Sequence, residues 1–134
     1  MEPNIWGPSA WIFLHTVTLQ YPEKPTDDDK KKYYVFFNSL KDILPCPNCK
    51  IHYSDSITKK PIQLESRKEL FEWLIDIHNE VNIRTGKKVY SYSEVDKIYK
   101  KMYNTGHSYK NQSLIILIVL LMIIGYYYVN NYSK

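Results

Sequence analysis

Pro45-Cys46-Pro47-Asn48-Cys49-Lys50-Ile51-His52-Tyr53 holds both cysteines of the chain. A Cys-x-x-Cys pair with no further cysteine cannot build a disulfide scaffold. It can be a redox pair, half of a metal site, or two small apolar residues in a turn. Prolines at 45 and 47 forbid a helix running through this point and favour one starting just after it. With Cys46 at the N-cap and Pro47 at the first helical position, Cys49 lies one turn in, on the same side. Free N–H groups at that end favour a thiolate, the form that attacks disulfides.

A second constellation is His78-Asn79-Glu80-Val81-Asn82, where helical spacing brings an imidazole and two amides onto one stripe. Buried polar side chains are costly unless paired. Such a stripe suits a ligand rich in donors, acceptors and flat rings, and Lys87 and Lys88 stand ready for a phosphate. Trp6, Trp11 and Trp73 supply flat apolar walls. A flavin dinucleotide fits, with an isoalloxazine ring that must touch a thiolate.

The elements that position these groups read as helices. Met1–Pro8 is expected to be a short arm, followed by a helix carrying Trp11, Leu14, His15 and Thr18. Thr26-Asp27-Asp28-Asp29 opens a second helix with Tyr33, Phe36, Phe37, Leu40 and Leu44 on one face, stopped by Pro45. A short helix follows Cys46. Ser66-Arg67-Lys68-Glu69 is a capping box opening a helix with a core stripe of Leu70, Leu74, Ile77 and Val81; Gly86 suits its end. Ser91-Tyr92-Ser93-Glu94 opens the last amphipathic helix, through Val95, Ile98, Tyr99 and Met102. No strand pattern of useful length occurs. The expected fold is all-α, a four-helix bundle plus a short fifth helix over residues 1–104.

Residues 105–113 are polar and read as a linker, and Leu114–Val129 is apolar without a charge. That segment spans roughly 24 Å at ~1.5 Å per residue, and tyrosines at 126, 127, 128 and 132 suit an interfacial belt. A C-terminal transmembrane helix over 114–129 with a short tail at 130–134 is therefore expected. Lys97, Lys100, Lys101 and Lys110 outweigh Lys134, which predicts a single-pass tail anchor with the catalytic domain cytosolic. The short span favours a thin membrane, such as the endoplasmic reticulum or one derived from it.

In 134 residues, a net charge of +4 is too modest for a nucleic-acid footprint. No basic region precedes the apolar Trp6–Leu14, so no signal peptide is read there, and a cytosolic Cys-x-x-Cys is catalytic or metal-binding rather than structural.

Four blocks in order carry a resemblance: Trp6-Gly7-Pro8-x-x-Trp11-x-x-Leu14-His15; Cys46-Pro47-Asn48-Cys49-x-x-His52-Tyr53; Trp73-x-x-x-x-His78-Asn79-x-Val81-Asn82; and Lys87 or Lys88 just beyond. The sequence resembles the Erv/ALR family of FAD-linked sulfhydryl oxidases, most of all the compact versions from large cytoplasmic DNA viruses. The resemblance implies a helical bundle holding FAD non-covalently, as a homodimer. It implies that Cys46–Cys49 is the catalytic disulfide, with Cys49 facing the isoalloxazine and Cys46 the outer sulfur that incoming thiolates attack. It assigns Trp6, Gly7, Trp11, His15, His52, Tyr53, Trp73, His78, Asn79, Val81, Asn82 and Lys87 to the cofactor. Electrons from a dithiol client, expected to be a thioredoxin-like carrier, would pass through the disulfide and FAD to O₂, giving H₂O₂.

The sequence departs from the family twice. No cysteine remains for a shuttle pair, and Ile75 stands where many members place a structural cysteine. The same residues allow two other readings. One is a zinc module from Cys46, Cys49, His52 and one of His15, His78 or His107; the other is a tail-anchored helical adaptor without catalysis.

Overall fold

In the computed structural model, which describes residues 1–132 and leaves the side chains of 105–113, 129, 131 and 132 undescribed, five helices follow in order. They are α1 (Pro3–Leu19), α2 (Asp27–Ile43), α3 (Pro47–Lys59), α4 (Arg67–Arg84) and α5 (Tyr92–Tyr132). The all-α expectation holds.

The local start and stop signals act as the sequence predicts. Thr26 caps α2 in a full capping box: its hydroxyl accepts from Asp29 N–H at 3.1 Å, and Asp29 Oδ2 accepts from Thr26 N–H at 2.9 Å. Ser66 Oγ accepts from Glu69 N–H at 3.2 Å and opens α4. Past its end, Gly86 takes φ 65°, a left-handed conformation that costs glycine nothing. This lets Lys87 N–H reach back to Asn82 O at 2.8 Å. The expected N-terminal arm is instead helical: Pro3 occupies the first turn of α1, and the helix runs through Pro8.

The first unit, Met1–Tyr92, has its core among the first four helices. Leu14 and Tyr21 meet Phe37 and Leu40 of α2, Tyr53 of α3, and Leu70, Trp73, Leu74 and Ile77 of α4. Helix α1 lies against α4, and α3 bridges α2 and α4. Ile75 is fully buried, an aliphatic side chain inside α4. Tyr21, also fully buried, donates its hydroxyl to Leu64 O at 2.8 Å and fastens the α3–α4 loop.

The second unit, Ser93–Lys134, holds the rest of α5, whose helical backbone continues through 105–113 to Tyr132. Among the described residues no helix is long and apolar enough to cross a membrane. The unbroken aliphatic run is Leu114–Ile124, after which come Gly125 and the hydroxyl-bearing Tyr126, Tyr127 and Tyr128. At ~1.5 Å per residue that run covers roughly half of a ~30 Å hydrocarbon core. The expected transmembrane helix is therefore withdrawn. So are the tail anchor, the cytosolic placement of the first unit, and the membrane expected for it, endoplasmic-reticulum-derived or, by the viral resemblance, that of a virion. The tail's residues 133 and 134 lie outside the described residues, as does the side chain of Tyr132.

Candidate active site

The cysteine pair sits where helix chemistry favours a thiolate. Cys46 is the N-cap of α3 in extended conformation, Pro47 follows at the first helical position, and Cys46 and Cys49 form a disulfide with Cα atoms 5.1 Å apart. Cys49 N–H donates to Cys46 Sγ at 3.2 Å. Both cysteines are half-buried. In the reduced state the same N–H and the helix dipole stabilise negative charge on Cys46.

Helix α3 is fixed to α4 by polar contacts that sequence reasoning missed. The Ser56 hydroxyl, buried, donates to Glu80 Oε2, and Arg84 reaches Ser56 Oγ at 3.3 Å and Glu80 at 3.5 Å. Lys60 pairs with Asp76 at 3.4 Å. The four-residue spacing of Glu80 and Arg84 was the available signal; Ser56 gave none.

A second cluster joins α1 to α4. The Trp11 indole and His78 imidazole stack at 3.9 Å between centroids and 7° between planes. His15 Nε2 lies 3.3 Å from His78 Nδ1, and the edge of Phe71 meets His15 at 5.6 Å. Phe71 precedes His78 by seven residues on the same helical face; that spacing could have flagged it.

Burial, then the neighbouring His78, lowers the His15 pKa to about 3. Burial, then Lys87, lowers that of His78 to about 4. Both rings are neutral at pH 7, so between them one nitrogen donates and the other accepts.

The other predicted residues divide. Trp6 is half-buried, and its Nε1 is buried without a hydrogen-bond partner. Next to it, a Cβ on Gly7 would meet nothing within 4 Å. Lys87 is exposed and near enough to act on His78, whereas Lys88 lies over the Tyr90 ring at 4.7 Å.

Trp73 and Tyr53, by contrast, belong to the core. Trp73 Nε1–H donates to Lys60 O at 2.9 Å and its ring meets Phe37 edge-on. The Tyr53 hydroxyl donates to Phe37 O at 2.9 Å, and burial pushes its pKa well up.

Asn79 holds the backbone of Tyr90 at both ends, donating to its O at 2.8 Å and accepting from its N–H at 3.0 Å. Asn82 is buried and Val81 half-buried, while the His52 ring is exposed and its carbonyl accepts from Arg84 at 3.3 Å.

A cavity of about 360 Å³ lies elsewhere, along Trp73, with Glu69, Glu72, Asp76, Lys60 and Tyr92 in its wall and neither cysteine. Among the described residues no group of three or more His, Cys, Asp or Glu is placed to hold a metal ion; the side chain of His107, one of the candidate zinc ligands, lies outside them.

The model of the Erv1 / Alr family matches residues 8–101, most of the chain and all of the site except Trp6 and Gly7. The chain belongs to the Erv1/Alr family. This Erv1/Alr chain is 47% identical over 104 residues to the probable FAD-linked sulfhydryl oxidase R368 of Acanthamoeba polyphaga mimivirus, covering 75% of this chain and 73% of that protein. It is 31% identical to the FAD-linked sulfhydryl oxidase of African swine fever virus, covering 72% of this chain and 81% of the viral one. It spans about half the length of the plant and yeast relatives it matches. Among solved structures it is similar to the FAD binding domain of Erv1 from Saccharomyces cerevisiae, with a TM-score of 0.72 at 34% identity, covering 75% of this chain and 96% of that one.

Proposed function

We infer that this Erv1/Alr chain is an FAD-linked sulfhydryl oxidase that oxidises thiols through Cys46–Cys49. The observation that carries the reading is a disulfide at the N-cap of a proline-started helix, inside the region that matches the family.

The residues present fit the cofactor. An unpartnered buried indole N–H on Trp6, open space beside Gly7 and a stacked Trp11–His78 pair suit a flat ligand with acceptors. Trp6, Trp11, His15, His78 and Lys87 would hold it: Lys87 for phosphate charge, the neutral imidazoles as hydrogen-bonding groups. By the family resemblance His52, Val81 and Asn82 would join this group. Trp73, Tyr53 and Asn79 shape the site from behind, because their polar atoms are already spent on the backbone.

The thiol chemistry belongs to the chain itself. A client thiolate attacks Cys46, the Cys46–Cys49 bond breaks, and Cys49 leaves as a thiolate. A second client thiol loses its proton and displaces Cys46, so the client gains a disulfide while the enzyme pair becomes a dithiol. FAD, when bound, takes two electrons from that dithiol and delivers them to O₂, giving H₂O₂. Cys46, held as a thiolate by the Cys49 N–H and the α3 dipole, is the sulfur that closes the bond again. The client is a protein dithiol such as a thioredoxin-like carrier.

The enzyme acts as a homodimer. Ile5, Ile12 and Phe13 of α1 and Tyr34 and Val35 of α2 are exposed, and Phe13 meets Phe36 across the two helices. A shared apolar face of this kind supports association of two copies. Oxygen uptake and peroxide release with dithiothreitol test the activity; a parent protein that binds flavin but consumes no oxygen would end this reading. Sedimentation of a Phe13→Asp, Val35→Asp variant tests the dimer: a monomer is expected.

A further inference from the structure

We propose that Arg84 is a positioning residue for the cysteine pair: with Glu80 and Ser56 it clamps the roll of α3, so that Cys49 stays turned into the bundle and Cys46 is left at the helix tip for the client. The roles of the two sulfurs rest on the sulfhydryl-oxidase reading; the clamp is the device that keeps those roles apart.

At about 100° per residue along α3, Cys49 falls between Tyr53, about 40° to one side, and Ser56, about 20° to the other. Tyr53 and Ser56 are the buried residues of this helix, so Cys49 begins its inward stripe. Cys46 is the N-cap, in extended conformation, and lies before the first helical turn. A roll of α3 about its axis therefore swings Cys49 off the bundle.

The Tyr53 hydroxyl ties the helix to Phe37 O of α2 at 2.9 Å, and the Lys60 carbonyl at its end accepts from Trp73 at 2.9 Å. Contacts from α4 stop it from turning. The Ser56 hydroxyl donates to the Glu80 carboxylate. Arg84, one turn beyond Glu80, closes the ring: its Nη2–H donates to Ser56 Oγ at 3.3 Å and lies 3.5 Å from Glu80 Oε2, while Nη1–H donates to His52 O at 3.3 Å. One planar guanidinium thus grips both the backbone and a buried side chain of α3, on the flank of Cys49. Each of these bonds is long by itself, and the fork makes them one constraint.

Glu80 and Arg84 stand on the helix that also carries His78 and Asn82, so one rigid element fixes these groups and the roll of the sulfurs. Lys60 lies 3.8 Å from the other carboxylate oxygen of Glu80. It still meets that charge when Arg84 is replaced, so the variant loses the grip on α3 rather than the fold.

The test is the order in which the two sulfurs react. The full chain with its flavin is reduced under nitrogen, freed of reductant and treated with iodoacetamide at alkaline pH, where both sulfurs are thiolates; fragment masses give the initial rate at each. We expect the parent to react roughly tenfold faster at Cys46 than at Cys49, with that ratio falling about fivefold in Arg84→Ala and in Arg84→Lys, whose ammonium cannot span His52 O and Ser56 Oγ together. Ser56→Ala, which leaves the bond to His52, should show a smaller fall. Thr26→Ala, a cap lost at the far end of α2, is the destabilised control and should keep the parent's ratio. An unchanged ratio in both Arg84 variants, an equal fall in Thr26→Ala, or a fall that tracks lost flavin from variant to variant would overturn the clamp. The expected ratios in a parent that takes up no oxygen with dithiothreitol would leave the clamp standing and sink the oxidase reading instead.

Discussion

The rings of Trp11 and His78, from helices at opposite ends of the first unit's sequence, lie nearly parallel with centroids 3.9 Å apart. The contact fastens α1 to α4 beside the pair His15–His78. Flat and neutral, it is a surface on which a further ring can lie, and it makes His78 the residue through which cofactor binding is most open to test.

His78→Ala removes the stack and the bond to His15 together. Flavin affinity should fall at least tenfold, read from the flavin-to-protein absorbance ratio after gel filtration. Thermal unfolding of the cofactor-free protein should drop only modestly, because His78 is half-buried. Full flavin occupancy in the variant would contradict the role given to this ring.

The same pair sets an acid limit on stability. Folded, His15 and His78 have pKa values near 3 and 4, against an ordinary value of 6.5. As pH falls below about 6.5 the unfolded chain takes up protons that the folded one refuses. The stabilisation is therefore complete above that pH and declines progressively below it. Urea midpoints should fall from pH 7 to pH 4.5, and a His15→Gln, His78→Gln variant should show a flatter profile. An unchanged slope would mean that the imidazoles charge freely in the folded protein.

Cys46→Ser and Cys49→Ser should each abolish turnover, by more than about a thousandfold, since a lone sulfur cannot cycle between dithiol and disulfide. Both variants should still fold and hold flavin. The Cys49→Ser protein, mixed with an activated client disulfide, should accumulate a mixed disulfide on Cys46, visible by mass. Turnover close to the parent's in either variant would remove this pair from the reaction.

Trp73→Phe should behave as a core substitution. It keeps an aromatic ring against Phe37 but loses the hydrogen bond to Lys60 O, at about 1–2 kcal/mol in denaturant unfolding. Flavin content should stay near that of the parent. A selective loss of flavin at unchanged stability would return Trp73 to the cofactor wall.

Asn79→Ala cuts both bonds to the Tyr90 backbone and frees the turn that carries Lys87. We expect roughly 1–3 kcal/mol of lost stability together with weaker flavin binding. Addition of the Lys87→Ala change should then cost less flavin affinity than it does in the parent, the mark of two residues acting through one loop.

Local chemistry in the sequence determined most of the helix starts and stops and the turn that carries the cysteine pair. Threonine and serine caps, prolines at 45 and 47 and a glycine at 86 act within a turn of themselves, and hydrogen bonding over three or four residues needs no distant partner. The family, too, is written in four short blocks. Apolar length near the end suggests a membrane span, but the aliphatic run stops at Ile124, short of what a bilayer core requires.

Tertiary structure alone decided how the aromatic and amide residues divide their work. His15 finds His78 across sixty-three positions, Trp73 and Tyr53 turn their polar atoms to the backbone, and Asn79 grips Tyr90. A side chain's type says what bonds it can make. Only the packing of α1, α3 and α4 fixes which of those bonds are already satisfied from within and which are left for a ligand.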